Sequence, residues 1–317
     1  MNTLVTATGM QVKAKAEGGL LISATHADGS WSNTAQITLG KSVLLLPAST
    51  ADGAAWVHAH STTSNDAIAI AEGYYDLGSA DTDPTATSHG SIKVSEENLY
   101  AAGSAKVVFD DNDNDNKYNE GENNTSDDGF YLVTDYYLRS SGTAVEVGSA
   151  ATYKALAINK VRISTVANSA TLDKSLRIGI QFYDTNGTTK IGNFVVLAPV
   201  NGADGKNAAA DATAVSTETH ETDKAAIVGL IAPAGSAAAV TEYYPNVDST
   251  FIGTIPANTA GTYITARVYV WFEGEDATCY SDAITTQLDT LSIEISFKIT
   301  NVAGQYAGKP TISEPAS

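Results

Sequence analysis

"RIGIQFYDTNGTTKIGNFVVLAP", residues 177–199, decides the fold class. Two runs rich in Ile, Phe and Val flank Asn186-Gly187. That dipeptide between apolar runs is the strongest short-range signal for a hairpin of two antiparallel strands. Reading outward from it, the same alternation of apolar and polar residues recurs in "MQVKAKA" (10–16), "AQITL" (35–39), "ALAINKVRIST" (155–165) and "LSIEISFKIT" (291–300). Period two is the mark of a half-buried strand. "YITARVYVWFEG" (263–274) is apolar on both faces after Arg267, which places it centrally in a sheet. Helical periodicity is scarce, and "DKAAIVGLIA" (223–232) is the best short helix. Short strands separated by Gly, Asn and Asp turns predict an all-β, jelly-roll-like antiparallel β-sandwich with loop insertions. Two such insertions are "GSADTDPTATSHG" (78–90) and "NGADGKNAAADATA" (201–214). The predicted organisation is an N-terminal arm at 1–16, one elaborated domain at 17–300 and a tail at 301–317.

Composition agrees with that class. Of 317 residues, 43% are apolar and only 17% charged, enough to fold and poor in helix-surface residues. A formal charge of −18 speaks against nucleic acid, whose phosphates need cations, and against an anionic membrane surface. No run of 18 apolar residues is present, so no membrane insertion is expected. The single cysteine, Cys279, forbids an intrachain disulfide, and its acidic neighbours disfavour a thiolate. The abrupt opening on strand-like sequence is read as a processed, exported chain whose signal has been removed, the alternative being a short cytosolic start.

The most chemically pointed motif is "DNDNDNKYNEGE" (111–122). Numbered as a twelve-residue calcium loop, it offers Asp111, Asp113 and Asp115 at positions 1, 3 and 5. Lys117 would supply a carbonyl at 7, Asn119 stands at 9 and Glu122 closes at 12. A hard cation wants six to eight oxygens including a bidentate carboxylate, which this spacing supplies. Position 6, where a sharp turn favours Gly, is Asn116. The flanks "AKVVF" (105–109) and "GFYLVTDYYL" (129–138) are strands and not the helices of EF-hand loops. Calcium here is expected to staple a strand-to-strand loop; the alternative is a solvated acidic turn.

Other candidates are thinner. His58 and His60 lie two apart on a strand, with nothing specifying a third metal ligand beyond Asp66. "HETDK" (220–224) lacks the second histidine of a zinc protease, and no nucleophile elbow or phosphate loop occurs. No catalytic residue is assigned and the chain is expected not to be an enzyme. Asn123, Asn124 and Asn186 fit the N-glycosylation pattern.

The arm is the second informative feature. Before Glu17 it carries only positive charge on a strongly negative chain. Leu4, Thr6, Thr8, Met10, Val12 and Ala14 share one face of an extended segment. Such a strand can complete the sheet of a second copy, main-chain bonds giving affinity and side-chain pockets giving register. Because every copy gives and receives, the contact propagates head-to-tail into a homopolymer.

"MNTLVTATGMQVKAKAEGGLLIS" (1–23) resembles the mature start of the TasA/camelysin-type secreted proteins of Gram-positive bacteria. "VYVWFEGEDATCYSD" (268–282) with "LSIEISFKI" (291–299) is similar to the closing strands of related secreted β-sandwich proteins. The resemblance covers the two ends of the chain. It implies a jelly-roll matrix or surface-fibre subunit, extracellular or at the cell surface, joined through an N-terminal donor strand. Some relatives carry a metalloprotease label, which the missing zinc motif does not support. The alternative function is a monomeric, calcium-stabilised adhesin or carbohydrate-binding module. Its partners would be surface glycans, met by Trp31, Trp56, Tyr74, Tyr75, Tyr136 and Tyr137.

Overall fold

The Asn-Gly segment is a hairpin in the computed structural model of the chain. Tyr183 pairs with Lys190, and Asp184 opens the connection between them. The Asp184 carboxylate accepts from the Thr188 and Thr189 amides at 3.2 Å each, and hydrogen bonds from the Thr189 side chain and then from these amides hold its pKa below the ordinary value. Gly187 donates to the Asp184 carbonyl at 2.8 Å. It takes the left-handed conformation (φ 69°) that the turn requires, which only glycine adopts without cost.

The structure describes residues 5–7, 11–38, 43–46, 48–50, 52–54, 56–59, 74–77, 90–99, 105–111, 117, 129–142, 152–164, 176–200, 227–231, 240–245, 250–251, 255–273 and 292–303. The first ten strands are β1 (Val5–Ala7), β2 (Gln11–Glu17), β3 (Leu20–Ser23), β4 (Thr34–Thr38), β5 (Val43–Leu45), β6 (Ala48–Thr50), β7 (Trp56–Ala59), β8 (Tyr74–Leu77), β9 (Gly90–Ile92) and β10 (Val94–Asn98). They continue as β11 (Ala105–Asp110), β12 (Gly129–Ser140), β13 (Thr152–Ser164), β14 (Leu176–Tyr183), β15 (Lys190–Val200), β16 (Ile227–Ile231), β17 (Val240–Pro245), β18 (Thr250–Phe251), β19 (Ile264–Phe272) and β20 (Ser292–Ala303). Among the described residues there is no helix. The predicted helix at 223–232 is corrected: its described part is strand β16, parallel to β15 and antiparallel to β17. Ile227, Val228 and Ile231 are β-branched and Gly229 interrupts them, all unfavourable in a helix.

The fold is an all-β sandwich. One face runs β12-β19-β14-β15, with β11 and β3 sharing the other edge of β12. The opposing face runs β17-β13-β20-β2-β4, and β16 joins the two into one continuous sheet. β19 sits between β12 and β14, the central place its double-faced apolar sequence predicts. Inward positions alternate: Leu132, Tyr136 and Leu138 from β12, Ala266, Val268 and Val270 from β19, Ile293, Ile295 and Phe297 from β20. The faces meet at the Phe182–Phe297 edge-to-face contact, with centroids 6.2 Å apart. β13 slips register between Ile158 and Lys160, so that Leu156, Ile158, Val161 and Ile163 are all buried. Most pairings are antiparallel; β2–β20, β15–β16, β8–β9 and the short β5–β12 pairing are parallel.

A third layer lies outside this core. β6-β7-β8-β9 form a separate four-stranded sheet. Leu46, Ala48 and Trp56 pack there with Phe194, Val196, Tyr269 and Trp271 from the outer side of β15 and β19. Trp56 stacks on Tyr131 at 3.8 Å and meets Trp271 edge-on at 5.1 Å. The predicted insertion at 78–90 lies outside the described residues up to Gly90, which opens β9; the one at 201–214 and the tail beyond Ala303 also lie outside them.

Candidate functional site

The outer face of β12 and β19 carries cross-strand rows set by their register. Asp135 faces Arg267, and Tyr137 faces Thr265. Arg267 donates through Nε (2.8 Å) and Nη2 (2.9 Å) to the two oxygens of Asp135 and lies 4.9 Å from the Tyr183 ring. That hydrogen-bonded carboxylate holds the guanidinium above its ordinary pKa. Burial pushes the Tyr131 and Tyr269 phenols above the ordinary range, so both rings serve the second core as neutral walls.

Farther along the same face the aromatics emerge into solvent. His26 is exposed and stacks on Tyr263 at 5.0 Å, while Tyr137 meets both rings edge-on at 4.6 and 5.0 Å. Trp31 is half-buried at 6.4 Å from Tyr263, and the Arg139 guanidinium lies 3.9 Å from the Trp31 ring. Burial first, then the negative charge of Asp135 and the Tyr263 phenol, push the Tyr137 phenol above its ordinary pKa and keep it a donor at neutral pH. The turn carrying His26 is built by Ser23, whose Oγ accepts from the Thr25 and His26 amides at 3.1 and 2.9 Å. His26 has φ 49°, the sole left-handed non-glycine among the described residues. Such a conformation costs roughly 1–2 kcal/mol in an L-residue and marks a place where the fold holds the backbone against its preference.

No protein family, curated protein or solved structure matches this chain. The chemistry of each site therefore rests on its own geometry.

Of the six predicted platform aromatics, Trp31 and Tyr137 are brought together here. Tyr136 is corrected: it is fully buried in the main core, its hydroxyl donating to the Val12 carbonyl at 2.6 Å. Trp56 is corrected likewise, being buried under the third layer. Both point inward because the pleat puts neighbours on opposite faces. The side chains of Tyr74 and Tyr75 lie outside the described residues. Sequence reading missed His26, Arg139 and Tyr263. The alternation "YLVTDYYLR" (131–139) puts Arg139 on the face of Tyr137, and that signal was available.

In the acidic loop the structure describes Asp111 and Lys117; Asp113, Asp115, Asn119 and Glu122 lie outside the described residues. Asp111 is buried, and its Oδ2 accepts from Lys93 Nζ at 2.9 Å and Ser95 Oγ at 3.0 Å. It ties the end of β11 to the start of β10. A carboxylate already neutralised by an ammonium group fits poorly as a calcium ligand, because a second cation on it is repelled. Lys117 is exposed. Among the described residues no three acidic, histidine or cysteine side chains are placed to hold a metal. His58 is buried with its ring 5.3 Å from Phe130, while His60 and Cys279 lie outside the described residues.

The N-terminal segment runs into its own molecule. β1, which contains Thr6, pairs with β5, and β2 lies between β20 and β4. Val12, Ala14 and Ala16 are buried, and on the other face Lys15 meets Glu294 at 2.6 Å. Leu4, Thr8 and Met10 lie outside the described residues. β2 leaves through Gly18 and Gly19, both left-handed (φ 65° and 88°). A Cβ on Gly18 would stand 2.8 Å from the Ile299 carbonyl oxygen.

Proposed function

We propose that this chain is a non-enzymatic, extracellular structural subunit that joins head-to-tail by exchanging its N-terminal strand, residues 4–16. The observation that carries the reading is the slot between β20 and β4, which β2 fills. Seven residues of β2 pair with β20 and five with β4, and the Tyr136 hydroxyl fixes the register from the opposite sheet. A closed chain fills this slot with its own strand. An exchanged chain fills it with a neighbour's identical strand and makes the same contacts, so only the hinge differs in energy. Gly18 and Gly19 are the conformationally free residues at which the two arrangements diverge. β1 adds three register pairs with β5 that exchange must also release. Negative-stain microscopy of the purified chain tests the reading: long regular fibres are expected, and dispersed single particles overturn it.

A monomeric, glycan-binding surface module is the second reading, favoured by the solvent-facing His26, Trp31, Tyr137 and Tyr263 cluster. Aromatic faces of this kind suit the apolar faces of sugar rings.

Calcium at 111–122 belongs to either reading as a proposal resting on the ligand spacing. Millimolar calcium is expected to raise the Tm by a few degrees over chelator, since an ion bound only by the folded state stabilises it. Glu122→Gln should abolish that increment and leave the Tm in chelator unchanged. Asp111→Asn should lower the Tm in both conditions, because it removes the buried carboxylate charge that pairs with Lys93. A Tm indifferent to calcium in the wild-type chain refutes the ion.

A further inference from the structure

Arg139 and Arg267 both stand on the outer face of β12 and β19, and of these two only Arg267 pairs with a carboxylate among the described residues. Arg267 uses its Nε–Nη2 edge to grip Asp135. Arg139, four residues from Asp135 on the same strand, is 8% exposed, and no carboxylate among the described residues pairs with it. Its Nη1 donates to the Thr259 carbonyl at 3.2 Å. Its Nε is buried without an acceptor, and so is Nε1 of Trp31, on whose ring the guanidinium lies. A buried arginine on a chain of net charge −18 has acidic partners available in the sequence. Among the described residues this one has no carboxylate partner, although an uncompensated buried charge is among the costliest features a core can hold.

We propose that Arg139 takes its carboxylate from a ligand, and that the ligand is an acidic saccharide whose uronate group meets the Nε–Nη2 edge. Side-on pairing of that edge with both carboxylate oxygens is the strong, planar mode that arginine favours. The sugar ring then lies against the His26, Tyr137 and Tyr263 rings, and the Trp31 indole N–H supplies a further donor. Nε is covered in the present arrangement, so seating a carboxylate on it requires the groups packed around it, the Trp31 ring among them, to give way. The inference deepens the carbohydrate-binding reading by naming the sugar class, and it does not depend on strand exchange.

The test uses the full chain and tetragalacturonate, with neutral tetragalactose and a tetraglutamate peptide as controls. The chain has three tryptophans, so its indole N–H region holds three signals. Titration with tetragalacturonate is expected to move the Trp31 signal and leave those of the buried Trp56 and Trp271 in place. Arg139→Lys, which keeps the charge and loses the fork, should weaken binding by at least about tenfold. Tyr137→Ala should weaken it comparably while leaving the Trp56 and Trp271 signals at their folded positions. Equal binding of tetragalactose overturns the uronate assignment and leaves a glycan site standing. Equal or tighter binding of tetraglutamate overturns the saccharide. A Trp31 signal unmoved by any glycan overturns this inference and the carbohydrate-binding reading together.

Discussion

A chain beginning at residue 17 is expected to unfold at a markedly lower temperature than the full chain, and a synthetic peptide of residues 8–17 is expected to restore it. Removal of β2 exposes the facing edges of β20 and β4 and takes Val12, Ala14 and Ala16 from the core. Burial of Val12 contributes about 1.5–3 kcal/mol and each alanine a smaller share. The Tyr136 hydroxyl, fully buried, loses the Val12 carbonyl, and an unmet buried donor costs about 1–3 kcal/mol. Together these put the loss on the order of 5 kcal/mol, before any backbone groups of the opened ladder are counted. A peptide that fills the slot makes those contacts in trans, so the restored Tm should rise with peptide concentration. Val12→Asp in the peptide buries a charge in the same place and should abolish rescue. A truncated chain as stable as the parent, or one indifferent to the peptide, would show that the slot does not depend on this strand.

Replacing Gly179 with valine should separate the third layer from the sandwich. A Cβ at Gly179 would lie 2.4 Å from Phe194 Cζ and 3.0 Å from Trp271 Cζ3. Gly53 also approaches the Phe194 ring closely, and a Cβ there would meet its Cε2 at 2.6 Å. Gly179 lies inside β14 without a left-handed backbone, so what the position demands is space alone. Overpacking a closed core costs about 1–3 kcal/mol and sometimes more, which in a chain of this size lowers the Tm by roughly 2–10 °C. Trp56 and Trp271 both pack in this cluster, so the intrinsic fluorescence should shift red with the loss. Gly142, which has no atom within 4 Å of its Cβ position, is the control and should tolerate alanine.

Period-two alternation carried most of the fold to the surface of the sequence. β2, β4 and β20 fall where apolar and polar residues alternate, β14 and β15 on the apolar runs that flank Asn186-Gly187, and β19 where both faces are apolar because it has strands on both sides and cover above and below. "AINKVRI" (157–163) shows how a local irregularity remains readable: its apolar phase shifts once, at the point where β13 slips register against β20. What stayed hidden was set by distance along the chain. The pairing of β2 with β20, the parallel β16 and the third layer over Tyr131 and Tyr269 depend on contacts between remote segments, which period alone does not encode. The aromatic cluster was half legible for the same reason. Tyr137 is visible as an outward residue, whereas its neighbours His26 and Tyr263 come from turns more than a hundred residues away in the sequence. Tyr136 shows the opposite hazard, since two adjacent tyrosines on one strand must face opposite ways.

The disputed quantity is whether β2 occupies its own slot or a neighbour's, and a disulfide trap reads it directly. Gln11 and Ser292 are aligned in the parallel β2–β20 ladder, a spacing a disulfide can bridge. In a Cys279→Ser background, Gln11→Cys with Ser292→Cys should be assembled under reducing conditions, oxidised, and run on a denaturing gel without reductant. Exchange predicts a ladder of covalently linked multimers that collapses to monomer on reduction. A single monomeric band, internally cross-linked in every molecule at concentrations where the parent chain is assembled, would contradict it.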